Sequence, residues 1–434
     1  MNAALLRTVF GAGCLSLAIV GSASAGGFAR GTADTDILFE DGNFAMRAGV
    51  TYVSPRRKYS SFDAAPGLVG TSYTDDYVIP SAAVKINLTN DFRCAGTLVD
   101  NNGGSASYAV PKPSGKLAED FDTNEKALTC GMRFQAGPGY MWVLGGGFVE
   151  DFNYSRVNEY AIGPITLPHA NLQLQGQQYG YRLGLAYEIP EIALRGQVLY
   201  RSGTSYGAGG RLTIPTAAVD GAEAKYYEAL YLKAVAENNG ANQALYGGLA
   251  MQKKQDAIAA AAAGTMTDFD ATGTGNLPQT VEVKLQSGIA PGWLAFGSVK
   301  WADWSVQKEL LVETANPLIG SADIYNWKDG WTVTGGIGHA FNENVSGALS
   351  LTWDRGVATG WDLSSDTYTL AAGGVLKDKF GGELRAGVGV SYLTSARETQ
   401  YLNADVPGNP HSGFNSAVDA GWAFAVNLGY KVAW

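Results

Sequence analysis

From residue 44 to the C-terminus the chain reads as fourteen stretches with a two-residue alternation of apolar and polar side chains, and the connections between them alternate between very short and long. In "GELRAGVGVSYL", Leu384, Ala386, Val388, Val390 and Tyr392 share one face, and Glu383, Arg385, Gly387, Gly389 and Ser391 the other. A period of two is the signature of a strand with unlike faces. The stretches are 44–54, 77–88, 92–110, 123–136, 140–157, 173–189, 192–213, 277–290, 292–312, 322–340, 343–356, 363–377, 380–397 and 417–434. Short turns such as Thr89-Asn90-Asp91, Gly137-Pro138-Gly139 and Asn342-Glu343-Asn344 alternate with longer loops near 55–76, 111–122, 158–172, 214–276, 313–321, 357–362 and 398–416. An even strand number, with short turns at one end and long loops at the other, is the layout of an outer-membrane β-barrel. A closed barrel also leaves no unpaired strand edge in lipid. The expected fold is all-β: a 14-stranded antiparallel transmembrane β-barrel over 44–434.

Composition agrees. Only 16% of the 434 residues are charged and 57 are Gly. Mean hydropathy is near zero, as strands with one apolar and one polar face average out. The formal net charge of −9 argues against nucleic acid as a partner. Residues 1–25 read as a secretory signal peptide: Arg7 is their only charge, an apolar run spans Val9–Val20, and Ala23-Ser24-Ala25 is a cleavage pattern. That run is too short for a membrane anchor, and Cys14 lacks the leucine usual before a lipoprotein cysteine. The mature chain then starts at Gly26 and keeps two cysteines, Cys94 and Cys130. In an exported protein these read as a disulfide, with two buried thiols as the alternative. The closing "NLGYKVAW" puts Leu428, Tyr430, Val432 and Trp434 on one face, an ending that the barrel-assembly machinery reads.

Loop 214–276 is Ala-rich with helical spacing. It reads as an extracellular loop with two short helices, either a lid on the rim or an apolar surface that collects a greasy substrate. Strand parity turns Arg47, Lys85, Arg182, Arg195, Arg201, Lys284, Lys300 and Arg385 inward, against fewer acids, Glu282, Glu383 and Asp354. The interior is thus expected to be basic, and such cations either meet an anionic passenger or pair with acids to brace the barrel. Gly203-Thr204-Ser205-Tyr206-Gly207 matches the nucleophile elbow of hydrolases, but it lies inside a strand. The histidines His169, His339 and His411 form no metal-like cluster, and no cofactor is implied.

Several segments together resemble the FadL/TodX family of outer-membrane transporters for long-chain fatty acids and other hydrophobic compounds. "LPQTVEVKLQSGIAPGWLAFGSVKWADWSVQKEL" is similar to the family's Leu-Pro strand opening, periplasmic turn and W-x-D-W-S strand at Trp301, Asp303, Trp304 and Ser305. "RLGLAYEIPEIALRGQVLYRSGTSYGAGG" resembles the preceding hairpin, and "YNWKDGWTVTGGIGHAFNENVSGALSLTWDRG" and "DTYTLAAGGVLKDKFGGELRAGVGVSYL" later ones. The resemblance implies fourteen strands around an N-terminal hatch, here 26–43. It also implies lateral exit through a kinked third strand, with Asp100, Asn101, Asn102 and Gly103 at the kink. On that reading "LVDNNGGSASYAV" is one interrupted strand and not a hairpin. The hatch departs from the family pattern: Glu40-Asp41-Gly42 stands where Asn-Pro-Ala is usual. The expected function is passive, gated transport of long-chain fatty acids or similar hydrophobic molecules across the outer membrane of a Gram-negative cell. The barrel would act as a monomer among outer-membrane lipids, with Arg47, Arg182, Arg195, Lys300 and Arg385 as candidate carboxylate contacts. The alternatives are a porin-like channel for small anions, a lipid hydrolase using Ser205, and an adhesin or structural anchor.

Overall fold

The computed structural model describes residues 27–399 and 414–434. The signal peptide and His411 lie outside them.

Fourteen antiparallel strands close into one barrel. The first six are β1 (Phe44–Arg56), β2 (Tyr77–Asn87), β3 (Phe92–Ser107), β4 (Lys116–Ala136), β5 (Gly139–Asn158) and β6 (Ala170–Ile189). The next four are each in two pieces: β7 (Leu194–Arg201 and Thr204–Pro215), β8 (Met266–Leu277 and Thr280–Ala290), β9 (Trp293–Ala302 and Glu309–Thr314) and β10 (Ser321–Ile324 and Gly330–Ala340). The last four are β11 (Val345–Asp354), β12 (Thr367–Lys377), β13 (Gly382–Leu393) and β14 (Gly421–Ala433). β1 closes the barrel on β14, from Ala45↔Ala433 to Arg56↔Trp422. Cys94 and Cys130 face each other across β3 and β4 and are bonded, with Cα atoms 4.0 Å apart.

The pleat explains the alternation read from the sequence. On β14, Phe424 and Val426 are 51% and 53% exposed, whereas Ala423 and Ala425 are buried. Large apolar residues thus point away from the barrel and small ones inward. Aromatic residues follow one level of the outer surface through the register pairs Trp353↔Tyr368, Tyr368↔Tyr392 and Tyr392↔Trp422. A second group, including Trp293, Phe341, Phe380 and Trp434, is exposed near the short turns. An apolar band between two aromatic girdles is what a membrane-spanning barrel presents to lipid. No helix among the described residues is long and apolar enough to cross a membrane.

Three expectations need correction. First, β7 to β10 are not continuous. Their breaks, at 202–203, 278–279, 303–308 and 325–329, lie side by side. Pro278 cannot donate to a ladder, and the 3-10 turn Trp304–Val306 carries the Trp304 ring inside, where it is 1% exposed. Second, the wall is taller on one side. β4 starts at Lys116 and the outer piece of β8 at Met266. These extensions carry Asp120, Asp122, Asp268 and Asp270 on strand, so no apolar face marked them in the sequence. Third, the helices are not short. α1 (Thr216–Ala236) and α2 (Gly240–Ala263) have 21 and 24 residues, about 32 and 36 Å of helix. They pack mainly on each other, and α1 meets the barrel at the outer ends of β7 and β8. The first turns of α1 pack on the rim, with Val219 in one apolar cluster with Ile214, Val312 and Ile319.

Small elements cover the long-loop end. Tyr59–Phe62, Ser416–Val418 and Ala396–Glu398 form a three-stranded sheet. Its apolar cluster of Tyr59, Phe62, Leu68, Leu363, Phe414 and Val418 lies over the barrel mouth.

Candidate functional site: an occupied lumen and a window in the wall

The polypeptide from Gly27 to Asn43 runs inside the barrel. Ile37, Leu38 and Phe39 are buried, with the Phe39 and Trp142 ring centroids 5.1 Å apart. Its polar groups are gripped from opposite sides of the wall. Glu40 accepts from Arg47 of β1 at 2.5 Å and from Lys431 of β14 at 2.6 Å. Asp36 meets Lys284 of β8 at 3.3 Å and Arg195 of β7 at 3.8 Å, and Asp34 pairs with Arg47. Lys85 donates to the carbonyls of Glu40 and Gly42 at 2.8 and 2.7 Å, and Arg93 donates to that of Leu38 at 2.9 Å. Glu40, Asp41 and Gly42 thus form a cation-held corner. Gly42 takes φ +80°, and a Cβ there would lie 2.9 Å from the carbonyl of Trp434.

At the other end of this segment, Phe28 sits in a cage of aromatic rings: Phe121 at 4.9 Å, Trp304 at 6.1 Å, Tyr325 at 5.4 Å and Trp327 at 4.8 Å between centroids. Phe121 is on β4, Trp304 in the break of β9 and Trp327 in the break of β10. Phe28 therefore bridges opposite sides of the lumen and separates two cavities. The outer one has about 1840 Å³ of empty volume, partly open to solvent, lined by rings that include Tyr73, Tyr108, Phe152, Tyr206, Tyr325 and Trp327. The inner one has about 850 Å³ of empty volume, also partly open, and reaches Ala29, Gly31, Asn101, Asn102, Arg182 and Lys300.

The β3 segment at the centre of the sequence reading is a single strand, but it is bulged and not broken. Asp100 opposes Asn124 and Asn102 opposes Thr123, so Asn101 is the extra residue. A bulge turns two neighbouring residues toward one face, and both Asn101 and Asn102 are buried. Asn101 Nδ2 donates to Glu150 Oε1 at 2.5 Å, and Thr123 Oγ1 donates to Asn101 Oδ1 at 2.8 Å. Pairing breaks on the other edge instead. The β2–β3 ladder ends at Ser81↔Val99 and resumes only as the single bridge Thr74↔Ala106. Between these points the wall has a window. The inner segment fills it: Arg30 N donates to Asn101 O at 2.9 Å, Gly31 N to Asp100 O at 3.0 Å, and Gly103 N to Phe28 O at 2.7 Å.

Parity places the five candidate cations inside, but the expected basic interior is not what they form. Arg47 and Arg195 hold the inner segment. Arg182 is paired with Glu125, which also accepts from Arg201 at 2.7 Å. Arg201 reaches Glu150 at 2.7 Å, and Arg385 reaches Glu383 at 2.8 Å. The sequence reading missed the acids that do this: Asp34, Asp36 and Glu40 on the inner segment, and Glu125 and Glu150 on β4 and β5. The same parity count, extended into the polar parts of β4 and β5, could have found the last two. Lys300 differs. It lines the inner cavity and forms no ion pair among the described residues.

Ser205 lies exposed on β7 and donates to Asn276 Oδ1 at 2.7 Å. The strand runs on through it, so the strand–turn–helix of a nucleophile elbow is not formed.

No family model and no curated protein matches the sequence. Solved structures do. A FadL homologue from Pseudomonas aeruginosa is 11% identical, with a TM-score of 0.65 over 92% of this chain and 91% of that one. The toluene transporter TodX of Pseudomonas putida is 12% identical, with a TM-score of 0.57 over 95% and 96%. The monoaromatic hydrocarbon channel CymD is 8% identical, with a TM-score of 0.55 over 94% and 98%. At such identities the likeness is one of fold: the chain is a FadL/TodX-type barrel of fourteen strands.

Proposed function

We propose that this protein is a gated outer-membrane channel for hydrophobic molecules, long-chain fatty acids or similar carboxylates first among them, with lateral release through the window between β2 and β3. The observation that carries this is the window itself, where a membrane barrel leaves a strand edge without its neighbour and covers it with a separable segment. Leaving such an edge uncovered in lipid would cost several kcal/mol per group, so the covering segment stays docked while the channel is closed. The two cavities supply the route. A greasy molecule enters the outer aromatic cavity, displaces Phe28, reaches the inner cavity and leaves past Asn101 and Asn102. Residues 26–43 act as the hatch, held by Arg47, Arg195, Lys284 and Lys431. Lys300 is the cation left to meet a carboxylate. No energy source is needed, because the gradient of substrate into membrane drives the flow. The fold shared with FadL and TodX channels supports the same reading. So does the C-terminal strand, which suits recognition by the barrel-assembly machinery of a Gram-negative cell.

A porin-like pore for small anions would need an open lumen, and here the inner segment crosses it at two levels. The deciding experiment is oleate uptake by cells in which this is the sole transporter of its kind. The native chain is compared with one whose Asn101-Asn102-Gly103-Gly104 is replaced by Val-Thr-Val-Thr, once both barrels are seen to assemble. Loss of uptake in the rebuilt strand supports lateral release, and unchanged uptake refutes it.

A further inference from the structure

The window is filled by backbone from Phe28 to Gly31, and one side chain of that segment lies at its edge. Ala29 opposes Asn102, whose side chain points inward, so Arg30, the next residue, is turned to the opposite face, toward Gly103. Its guanidinium lies over the Tyr77 ring, 4.3 Å from the centroid. On its other side is Gly103, where an added Cβ would sit 2.5 Å from Arg30 Cζ. The carboxylates of Asp100, Asp120 and Asp122 are within electrostatic reach. The last two stand at register positions opposite Ser105 and Gly103 on β4. Among the described residues Arg30 nevertheless forms no ion pair, and its Nε has no hydrogen-bond partner. A guanidinium held this way is attached by a ring face and a diffuse field, not by a fixed salt bridge. Such contacts hold firmly in the closed state but leave no tight pair to break.

We propose that Arg30 is the positioning residue that keeps the window shut. Clamped between Tyr77 and the bare face of Gly103, it pins residues 28–31 as a removable strand along the free edge of β3. Asp100, Asp120 and Asp122 are the counter-charges that draw it there. A side chain at 103 would take the seat of the guanidinium and force Arg30 to move. The proposal builds on reading the window as the exit.

The test is amide hydrogen exchange on the full-length protein in lipid nanodiscs, comparing native chain, Arg30→Gln and Gly103→Ala. The second variant leaves Arg30 in place and only takes its seat. Exchange of Gly31 and of residue 103 about tenfold faster in both variants, equivalent to about 1.4 kcal/mol of docking, with the β2–β3 amides below the window unchanged, is the expected result. Native protection at these two amides in either variant overturns the latch. Oleate uptake, measured on the same variants and on the rebuilt strand, keeps the two readings apart. Faster exchange with uptake indifferent to the window leaves the latch standing and removes the exit. Lost uptake in the rebuilt strand with native exchange in both variants does the reverse.

Discussion

Asn101 Nδ2 lies 2.5 Å from Glu150 Oε1, so the bulge of β3 is tied to a fully buried carboxylate on β5. Glu150 also accepts from Arg201 Nη2 at 2.7 Å, Thr204 Oγ1 at 2.8 Å and Gln178 Nε2 at 3.2 Å. One carboxylate thus joins the window to the break in β7.

Replacing Glu150 with Ala leaves the Arg201 guanidinium facing a buried site with half its charge partners gone. Removing one member of a buried pair costs about 3–5 kcal/mol. The expected outcome is a marked fall in the unfolding temperature, read from heat-modifiable gel mobility, with Glu150→Gln falling less. A loss under about 1 kcal/mol in the Ala variant would show that the hub is not structural.

Phe28→Ala removes four aromatic contacts, each worth about 0.5–1.5 kcal/mol, and joins the inner and outer cavities. Uptake of hydrophobic substrate should rise, and a small dye excluded by the native chain should begin to leak. The measurement is dye release from liposomes carrying the barrel. Identical release from both proteins removes the stopper role.

Lys300→Met tests the cation without a carboxylate. A charge-assisted hydrogen bond is worth about 1.5–3 kcal/mol, so oleate uptake should drop by about tenfold or more while uptake of oleyl alcohol stays the same. Equal losses for both would mean that Lys300 shapes the wall and reads no charge.

Asp362, in the loop between β11 and β12, accepts from Trp327 Nε1 at 2.5 Å. Burial pushes its carboxyl up from 3.8 to about 6, against the hydrogen bond from Trp327, which favours the ionised form. The folded chain therefore holds a proton between pH 4 and 6 that the unfolded chain has released. The contribution of this loop to stability should increase as pH falls through 6 toward 4 and flatten below. Tryptophan fluorescence against pH, with Asp362→Asn as the insensitive comparison, reads the midpoint. A native midpoint near 4, or the same titration in the Asn variant, contradicts the assignment.

The number of strands, their order and the two ends of the barrel were legible in the chain because their causes are local. Each strand declares itself by a period of two, and turns such as Gly137-Pro138-Gly139 are made by residues adjacent in sequence. Inward and outward also followed, since parity needs only one anchored position per strand. In the structure Arg47, Arg182, Arg195 and Arg385 are ion-paired within the barrel and Lys300 lines the inner cavity. Parity holds no information about distance across the lumen. Whether Arg182 meets a substrate or Glu125 depends on the register of β4 and β6 on the β5 strand between them. The window has the same origin. Asn101 and Gly103 signal an irregular strand, but the missing ladder beyond Ser81↔Val99 is a property of β2, β3 and residues 28–31 together. The sequence by itself determined a barrel with its faces assigned. Tertiary structure alone decided which charges cancel, where Phe28 finds its cage and which edge the inner segment covers, because those follow from contacts between residues far apart in the chain.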